Sequence, residues 1–341
     1  MYALARPLLF TLDAELAHHL TLATLSRAPG LAGLFPCAEE DPCEVMGLQL
    51  RNRVGLAAGL DKNAACIPAW ARLGFGLIEV GTVTPRPQAG NPKPRMFRLP
   101  EHQAIINRLG FNNGGLDRVL ENVRQSDRGA ARLGINLGKN ADTPADQALA
   151  DYQQGMEAAY SLADYLTVNI SSPNTKGLRD LQAGDALTGL LDGLAQCRSR
   201  LADVSGRKVP VALKIAPDVT DEQVRSMADA VIRYGFDGII ATNTTIDRAA
   251  VAEHRYAQQA GGLSGAPVRD VATRVLRVLK DHVGNACALI GVGGVLEPED
   301  AVAKLAAGAD LVQIYTGLIY RGPRLVGECV DAMRAFGGSR N

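Results

Sequence analysis

The chain has 341 residues, 47% hydrophobic and 21% charged, with 36 basic side chains against 36 acidic ones. That composition excludes disorder, collagen and coiled coil, and a zero formal charge argues against a nucleic-acid binder, whose grip on phosphates needs an excess of Lys and Arg. The length admits two domains, or one α/β barrel of about 250 residues with an appendage.

Residues 1–45 stand apart from the rest of the chain. Leu12, Leu16, Leu20 and Ala23, joined by Leu22 and Leu25, form an apolar face at helical spacing behind Asp13 and Glu15. A second apolar segment, 31–35, follows Pro29-Gly30. Two readings stay open: a helix capping the barrel, or an interfacial helical hairpin that touches membrane or admits a lipophilic molecule. Only Arg6 and Arg27 are basic there, so such a contact would be hydrophobic. The run 7–12 is too short for a signal-peptide core.

From residue 53 a unit repeats, a short apolar run followed by a helical pattern. Strands are expected at 54–60, 77–83, 132–137, 165–170, 210–215, 238–242, 288–292 and 310–315, with helices at 64–73, 115–125, 144–162, 185–201, 221–234, 267–283, 298–307 and 323–336. Thr220-Asp221-Glu222 and Glu297-Pro298-Glu299-Asp300 place caps ahead of acidic first turns. Near-continuous apolar strands such as 211–216 suit burial on both faces and parallel pairing. Eight units fit a (β/α)8 TIM barrel with a small N-terminal helical extension better than an open doubly wound sheet. The division expected is 1–45 for the extension and 46–341 for the barrel. Three long connections, 84–114, 171–184 and 243–266, lie on the strand-to-helix side, where barrels carry function.

Six cysteines without a CxxC pair and five histidines without HExxH spacing predict free thiols and no metal site. No uncharged apolar run reaches the 18 or so residues that span a bilayer, so a cytoplasmic chain is expected. The 36 glycines exceed the usual share of about 7%, which suggests tight turns or backbone lying against a ligand. The run 57–63, Ala-Ala-Gly-Leu-Asp-Lys-Asn, lets a flat ring lie on small residues while Lys62 offers a charge to an anion; a tight turn with a solvated lysine is the plainer alternative. Gly291-Val292-Gly293-Gly294 and Tyr315-Thr316-Gly317 suit the barrel phosphate site. Leu296 stands where a dinucleotide fingerprint needs its last glycine, so flavin mononucleotide is expected instead. Asn107, Asn136, Asn169 and Asn243 offer donor and acceptor together, as a ring with alternating C=O and N–H edges requires. Lys214, inside an apolar strand, needs an anionic or electron-accepting partner. With no His, Cys or carboxylate pair in these loops, Ser172 is the candidate base, and Thr175 is placed to assist it.

Five blocks then carry a resemblance: Gly-Leu-Ala-Ala-Gly-Leu-Asp-Lys (55–62), Ile-Asn-Arg-Leu-Gly-Phe-Asn-Asn (106–113), Val-Asn-Ile-Ser-Ser-Pro-Asn-Thr (168–175), Ala-Thr-Asn-Thr-Thr (241–245) and Gly-Gly-Leu-Ser-Gly (261–265). The chain resembles the class 2 dihydroorotate dehydrogenases along its whole length, from Ala17-His18 to Tyr315-Thr316. The resemblance implies an FMN barrel that oxidises (S)-dihydroorotate to orotate in pyrimidine (UMP) synthesis and passes electrons to a quinone. It also implies peripheral attachment to the cytoplasmic side of the inner or cell membrane through the N-terminal helices, without an obligate protein partner.

Residue by residue, the resemblance makes Ser172 the base for the C5 proton while the C6 hydride passes to flavin N5, with Thr175 and Phe111 shaping the proton path. It implies a substrate set of Lys62, Asn107, Arg108, Leu109, Gly110, Phe111, Asn169, Asn174, Asn243 and Thr244. Its FMN set is Ala58, Gly59, Leu60, Asp61, Lys62, Thr82, Asn136, Asn169, Lys214, Thr242, Gly265, Gly294, Tyr315 and Thr316. His18, Arg98 and Tyr315 resemble quinone-tunnel residues, although Ile319 stands where some relatives are polar. Class 1 relatives use cysteine as base, so Ser172 sorts the chain into class 2. Two alternatives remain: another FMN barrel acting on pyrimidines or nucleotides, and a non-enzymatic barrel with a partner-binding arm.

Overall fold

The computed structural model describes residues 2–338. Two helices come first, α1 (Tyr2–Thr11) and α2 (Ala14–Arg27), then a 3-10 turn at Pro29–Leu34. The amphipathic spacing predicts only α2 and the segment after it. Pro7 inside α1 removes a helical N–H, and α1 is fastened from outside instead: Arg6 donates to the Tyr320 carbonyl at 2.8 Å and the Tyr2 hydroxyl to that of Ile319. Asp13 caps α2 by accepting from the Glu15 and Leu16 amides.

A hairpin of β1 (Cys43–Val45) and β2 (Leu48–Leu50) leads into the barrel. The barrel strands are β3 (Val54–Leu56), β4 (Leu77–Val83), β7 (Arg132–Leu137), β8 (Tyr165–Asn169), β9 (Val211–Ile215), β10 (Gly238–Ala241), β12 (Ala288–Val292) and β13 (Leu311–Ile314). All eight are parallel, and β13 pairs with β3 to close the barrel. The helices are α3 (Ile67–Arg72), α4 (Gly115–Gln125), α5 (Ala148–Ala159), α6 (Gly184–Ser205), α7 (Asp221–Arg233), α8 (Arg269–Val283), α9 (Pro298–Ala306), α10 (Thr316–Arg321) and α11 (Arg324–Gly338). Every residue of β4, β8, β9 and β10 is buried, because one face fills the barrel and the other meets helices. The helices answer with apolar stripes, Leu116, Val119, Leu120 and Val123 on α4 and Val275, Leu276 and Leu279 on α8. Each such side chain contributes roughly 1.5–3 kcal/mol by burial, and truncating Leu276 to Ala would cost about 2–5 kcal/mol.

The N-terminal end of the barrel is built for stability. Asp164, Asp237 and Asp310 accept the amides of Leu133, Val211 and Leu289, tying each strand start to its neighbour. Val45 and Leu50 of the hairpin pack with Leu77, Tyr165, Ala212, Ile290 and Leu311 and plug that mouth.

The expected strands 54–60 and 310–315 are shorter, since 57–60 and Tyr315 leave the ladder to line cavities. Two of the three long loops contain strands that were expected as loop. The first carries β5 (Met96–Leu99) and β6 (Ala104–Asn107), the third carries β11 (Gly262–Gly265), and β11-β6-β5 form one antiparallel sheet. Gly265 has φ +95°, and a Cβ there would lie 2.1 Å from the Gln103 carbonyl oxygen, so only glycine fits beside β6.

Candidate functional site

The C-terminal ends of the barrel strands surround a polar pocket. Ala57, Ala58 and Gly59 follow β3; Thr82 ends β4; Asn169 ends β8 and Ser172 follows it. Lys214 rises from β9, 242–244 follow β10, 293–295 follow β12, and Gln313, Tyr315, Thr316 and Gly317 come from β13 and α10. Residues 109–111, with Asn107, Ser264 and Gly265 of the added sheet, complete the lining.

The asparagines form two hydrogen-bonded groups, Asn136, Asn169 and Asn243 in one and Asn107 with Asn174 in the other. Asn169 donates to Thr82 Oγ1 at 3.0 Å and to Asn136 Oδ1 at 3.2 Å, and its own oxygen accepts from Ser171. Asn243 donates to Ser171 Oγ at 3.0 Å, while Asn174 reaches Asn107 Oδ1 at 3.4 Å. Below them Glu79, absent from the sequence-derived set, accepts from Asn136 at 2.7 Å and Gln313 at 2.8 Å and lies 3.9 Å from the Lys214 ammonium. Because a carboxylate only accepts, the Gln313 NH2 must point down, which turns its oxygen away from Glu79. That oxygen is buried without a partner among the described residues, as is Asn174 Oδ1. Both residues line the pocket, whose walls therefore lack partners that a polar ligand would supply.

Among the residues lining the pocket none is Asp, Glu, His or Cys. Ser172 is buried, and its Oγ accepts from the Asn174 amide at 3.2 Å. Thr175 does not line the pocket, but its buried hydroxyl has no partner among the described residues. Lys62 donates to the Gly59 carbonyl at 2.6 Å; burial, reinforced by Arg95, pulls its pKa down to about 8 against Glu15 and Asp61. Phe111 sits at φ +54°, a costly conformation for an aromatic residue, and Asn113 holds the turn by donating to its carbonyl at 2.7 Å.

Not every expected residue reaches the pocket. Arg108 turns away, with its guanidinium on the Gln259 side chain, the Ala260 and Pro94 carbonyls and the Phe97 ring. Asp61 instead accepts the amides of Ala65 and Cys66 and the Trp70 indole, fixing the start of α3. Asn136 supports Asn169 and Thr82 from behind. Leu60 lines a different cavity.

That second cavity, about 420 Å³, lies between the N-terminal helices and the barrel. Its walls are mostly apolar, and His18, Arg98 and Ile319 belong to them. Arg98 also donates to the Phe10 and Leu12 carbonyls, holding the α1–α2 turn against β5. Burial, with Lys62 and His19 nearby, pulls His18 down to about 3 against Glu15, so its imidazole is neutral. Tyr315 lines both the cavity and the polar pocket.

The chain matches the family profile described as Dihydroorotate dehydrogenase over residues 42–336. It is 58% identical to a Paraburkholderia xenovorans protein named dihydroorotate dehydrogenase (quinone), over 98% of this chain and 99% of that one. A Chromobacterium violaceum protein of the same name is 57% identical across the full length of both. Among solved structures, Eimeria tenella DHODH in complex with ferulenol superposes with a TM-score of 0.88 at 36% identity, covering 96% of this chain and 92% of that one.

Proposed function

The chain belongs to the dihydroorotate dehydrogenase family, and on that footing we propose that it oxidises (S)-dihydroorotate to orotate in pyrimidine synthesis with a quinone as final electron acceptor. The observation that carries this reading is Tyr315, the wall shared by the polar pocket and the apolar cavity. A redox ring held in the polar pocket would have Tyr315 between it and a space suited to a lipophilic acceptor.

The pocket fits FMN. Gln313 Oε1 and Asn174 Oδ1, both on lining residues, have no partner among the described residues, and Gly59, Gly265, Gly293 and Gly294 put backbone rather than side chains in the wall. Ala58, Gly59, Thr82, Asn169, Lys214, Thr242, Gly265, Gly294, Tyr315 and Thr316 would hold the group, with the amides after β12 and β13 taking its phosphate. When bound, FMN supplies an acceptor for the substrate's hydride that a quinone can reoxidise.

The chain's own residues do the rest. Lys62 offers its ammonium to the dihydroorotate carboxylate, and Asn107, Asn169, Asn174 and Asn243 match the ring's C=O and N–H edges. Ser172 takes the C5 proton. A serine hydroxyl is a weak base, so its own proton must move on, and we assign the relay to Thr175, three residues further along the same loop, whose buried hydroxyl has no partner among the described residues. Phe111 excludes water from the pocket mouth. The quinone enters between the N-terminal helices, where His18 and Arg98 offer polar contacts in a mostly apolar cavity. The exposed leucines of that extension rest on the cytoplasmic membrane surface.

An anaerobic titration tests this reading. Dihydroorotate should bleach the flavin of the wild-type protein and added quinone should restore it. Ser172→Ala should retain FMN yet bleach at least about a hundredfold more slowly, within the usual range for losing a general base. No bleaching in the wild type, or bleaching of Ser172→Ala at the wild-type rate, would overturn the substrate or the base assignment respectively.

A further inference from the structure

The barrel floor holds a carboxylate to which the reaction above gives no role. Glu79 is fully buried in the middle of β4. One oxygen accepts from Asn136; the other accepts from Gln313, from Thr167 at 3.2 Å and from the Tyr165 hydroxyl. The buried Lys214 ammonium stands 3.9 Å away. Three routes from Glu79 lead upward, since Lys214 and Gln313 line the pocket and Asn136 bonds Thr82 and Asn169, which also line it, while Tyr165 ties it to the plug of the N-terminal mouth.

We propose that Glu79 is the positioning residue of the pocket floor, holding the Lys214 ammonium as a cation at the FMN site and fixing the Gln313 amide beside it. The proposal rests on FMN occupying that pocket. An ammonium buried without a counter-charge gives up its proton readily, and Glu79 supplies that counter-charge. Burial lowers Lys214 and Glu79 opposes the fall. The strands flanking β9 add no charge of their own beside Lys214: in register with it stand Asn169 on β8 and Ile240 on β10. Tyr165 is pushed well above its ordinary range by burial and by Glu79. Two other titratable groups line the pocket, Tyr315, raised to about 12 by burial, and Lys62, lowered to about 8 chiefly by burial. Lys62 titrates in wild type and variant alike, so the informative quantity is the difference between their pH profiles.

The test titrates the full chain, freed of flavin, with FMN across neutral to alkaline pH and follows flavin fluorescence. For Glu79→Gln the affinity should fall at lower pH than in the wild type. Binding should be within about threefold of wild type near pH 6 and at least about tenfold weaker near pH 8.5, the size of effect that one unit of displaced titration produces. Glu79→Asp, which keeps the charge, should restore the wild-type profile, and in a Lys214→Met background the Glu79→Gln change should shift nothing. Parallel profiles, a uniform loss at every pH, or an unchanged shift in the Lys214→Met background would overturn the proposal. If Glu79→Gln does not fold, an Asp variant with a displaced profile overturns it equally. A wild-type chain that binds no FMN at any pH removes the underlying reading as well.

Discussion

Lys62, in the proposed anion-binding role, would set the pH profile of binding. Its pKa is drawn down to about 8, first by burial and then by Arg95, so the ammonium is complete well below that pH and is lost as pH rises through it. The dissociation constant for orotate, the product anion, should therefore be flat in the acid-neutral range and rise toward tenfold per unit above about pH 8. Calorimetric titration checks this; Lys62→Met should bind weakly at every pH, and a wild-type constant that stays flat to about pH 9 would contradict the role. At this scale the sequence is legible wherever chemistry breaks a pattern. Lys214 is conspicuous in an apolar strand, and the partner it demands is Glu79, which carries the same signal in Leu-Ile-Glu-Val-Gly (77–81) yet is missing from the sequence-derived set. The side chains of Arg108 and Asp61 leave the pocket because neighbours along a loop share a motif but not a direction, and these two turn to structural partners.

Helix α2 is bound to the barrel through an ion pair. The carboxylate of Glu15 takes two donors of the Arg95 guanidinium, the shorter contact at 2.8 Å, and Arg95 also holds the Ala89 and Asn91 carbonyls. Burial alone would raise Glu15, but Arg95, with His19 and Lys93, holds it down at about 2. A lowered acid contributes stability above its unfolded pKa, so this contribution is present above about pH 4.5 and drains away as pH falls toward about 2. Glu15→Gln leaves a buried guanidinium unpaired and should cost about 3–5 kcal/mol. Because the pair joins an appendage to a scaffold, hydrogen exchange should quicken first in α1 and α2; unchanged exchange there would contradict the anchoring role. Barrel strands are legible because burial on both faces writes an uninterrupted apolar run. The pairing of β6 with β11 is not, because the partner comes more than 150 residues later and no local pattern carries it.

Over the whole molecule, the N-terminal extension presents two faces. Ala17, His18 and Leu25 line the cavity inward, while Leu4 and Leu8 stand 84% and 71% exposed beside Leu16, Leu20, Leu31 and Leu34. Among the described residues no helix is long and apolar enough to cross a membrane, so attachment would rest on this leucine face. Each leucine is worth roughly 1.5–3 kcal/mol when buried in lipid. Leu4→Glu with Leu8→Glu should thus lower liposome partitioning at least about tenfold while dihydroorotate still bleaches the flavin; undiminished partitioning would exclude the face. The helical face of 12–25 is visible in sequence as amphipathic spacing, whereas the cavity behind it is not, because it exists only where α1, α2, β5 and α10 come together. The proposed function puts two half-reactions in two spaces on either side of Tyr315. Stopped-flow kinetics of Ala17→Trp, which fills the apolar cavity without touching the polar pocket, tests it most directly. Reduction by dihydroorotate should keep its wild-type rate while reoxidation by a long-chain quinone slows at least about tenfold, since a filled cavity cannot admit it; equal reoxidation rates, or a slowed reduction with reoxidation intact, would contradict the claim.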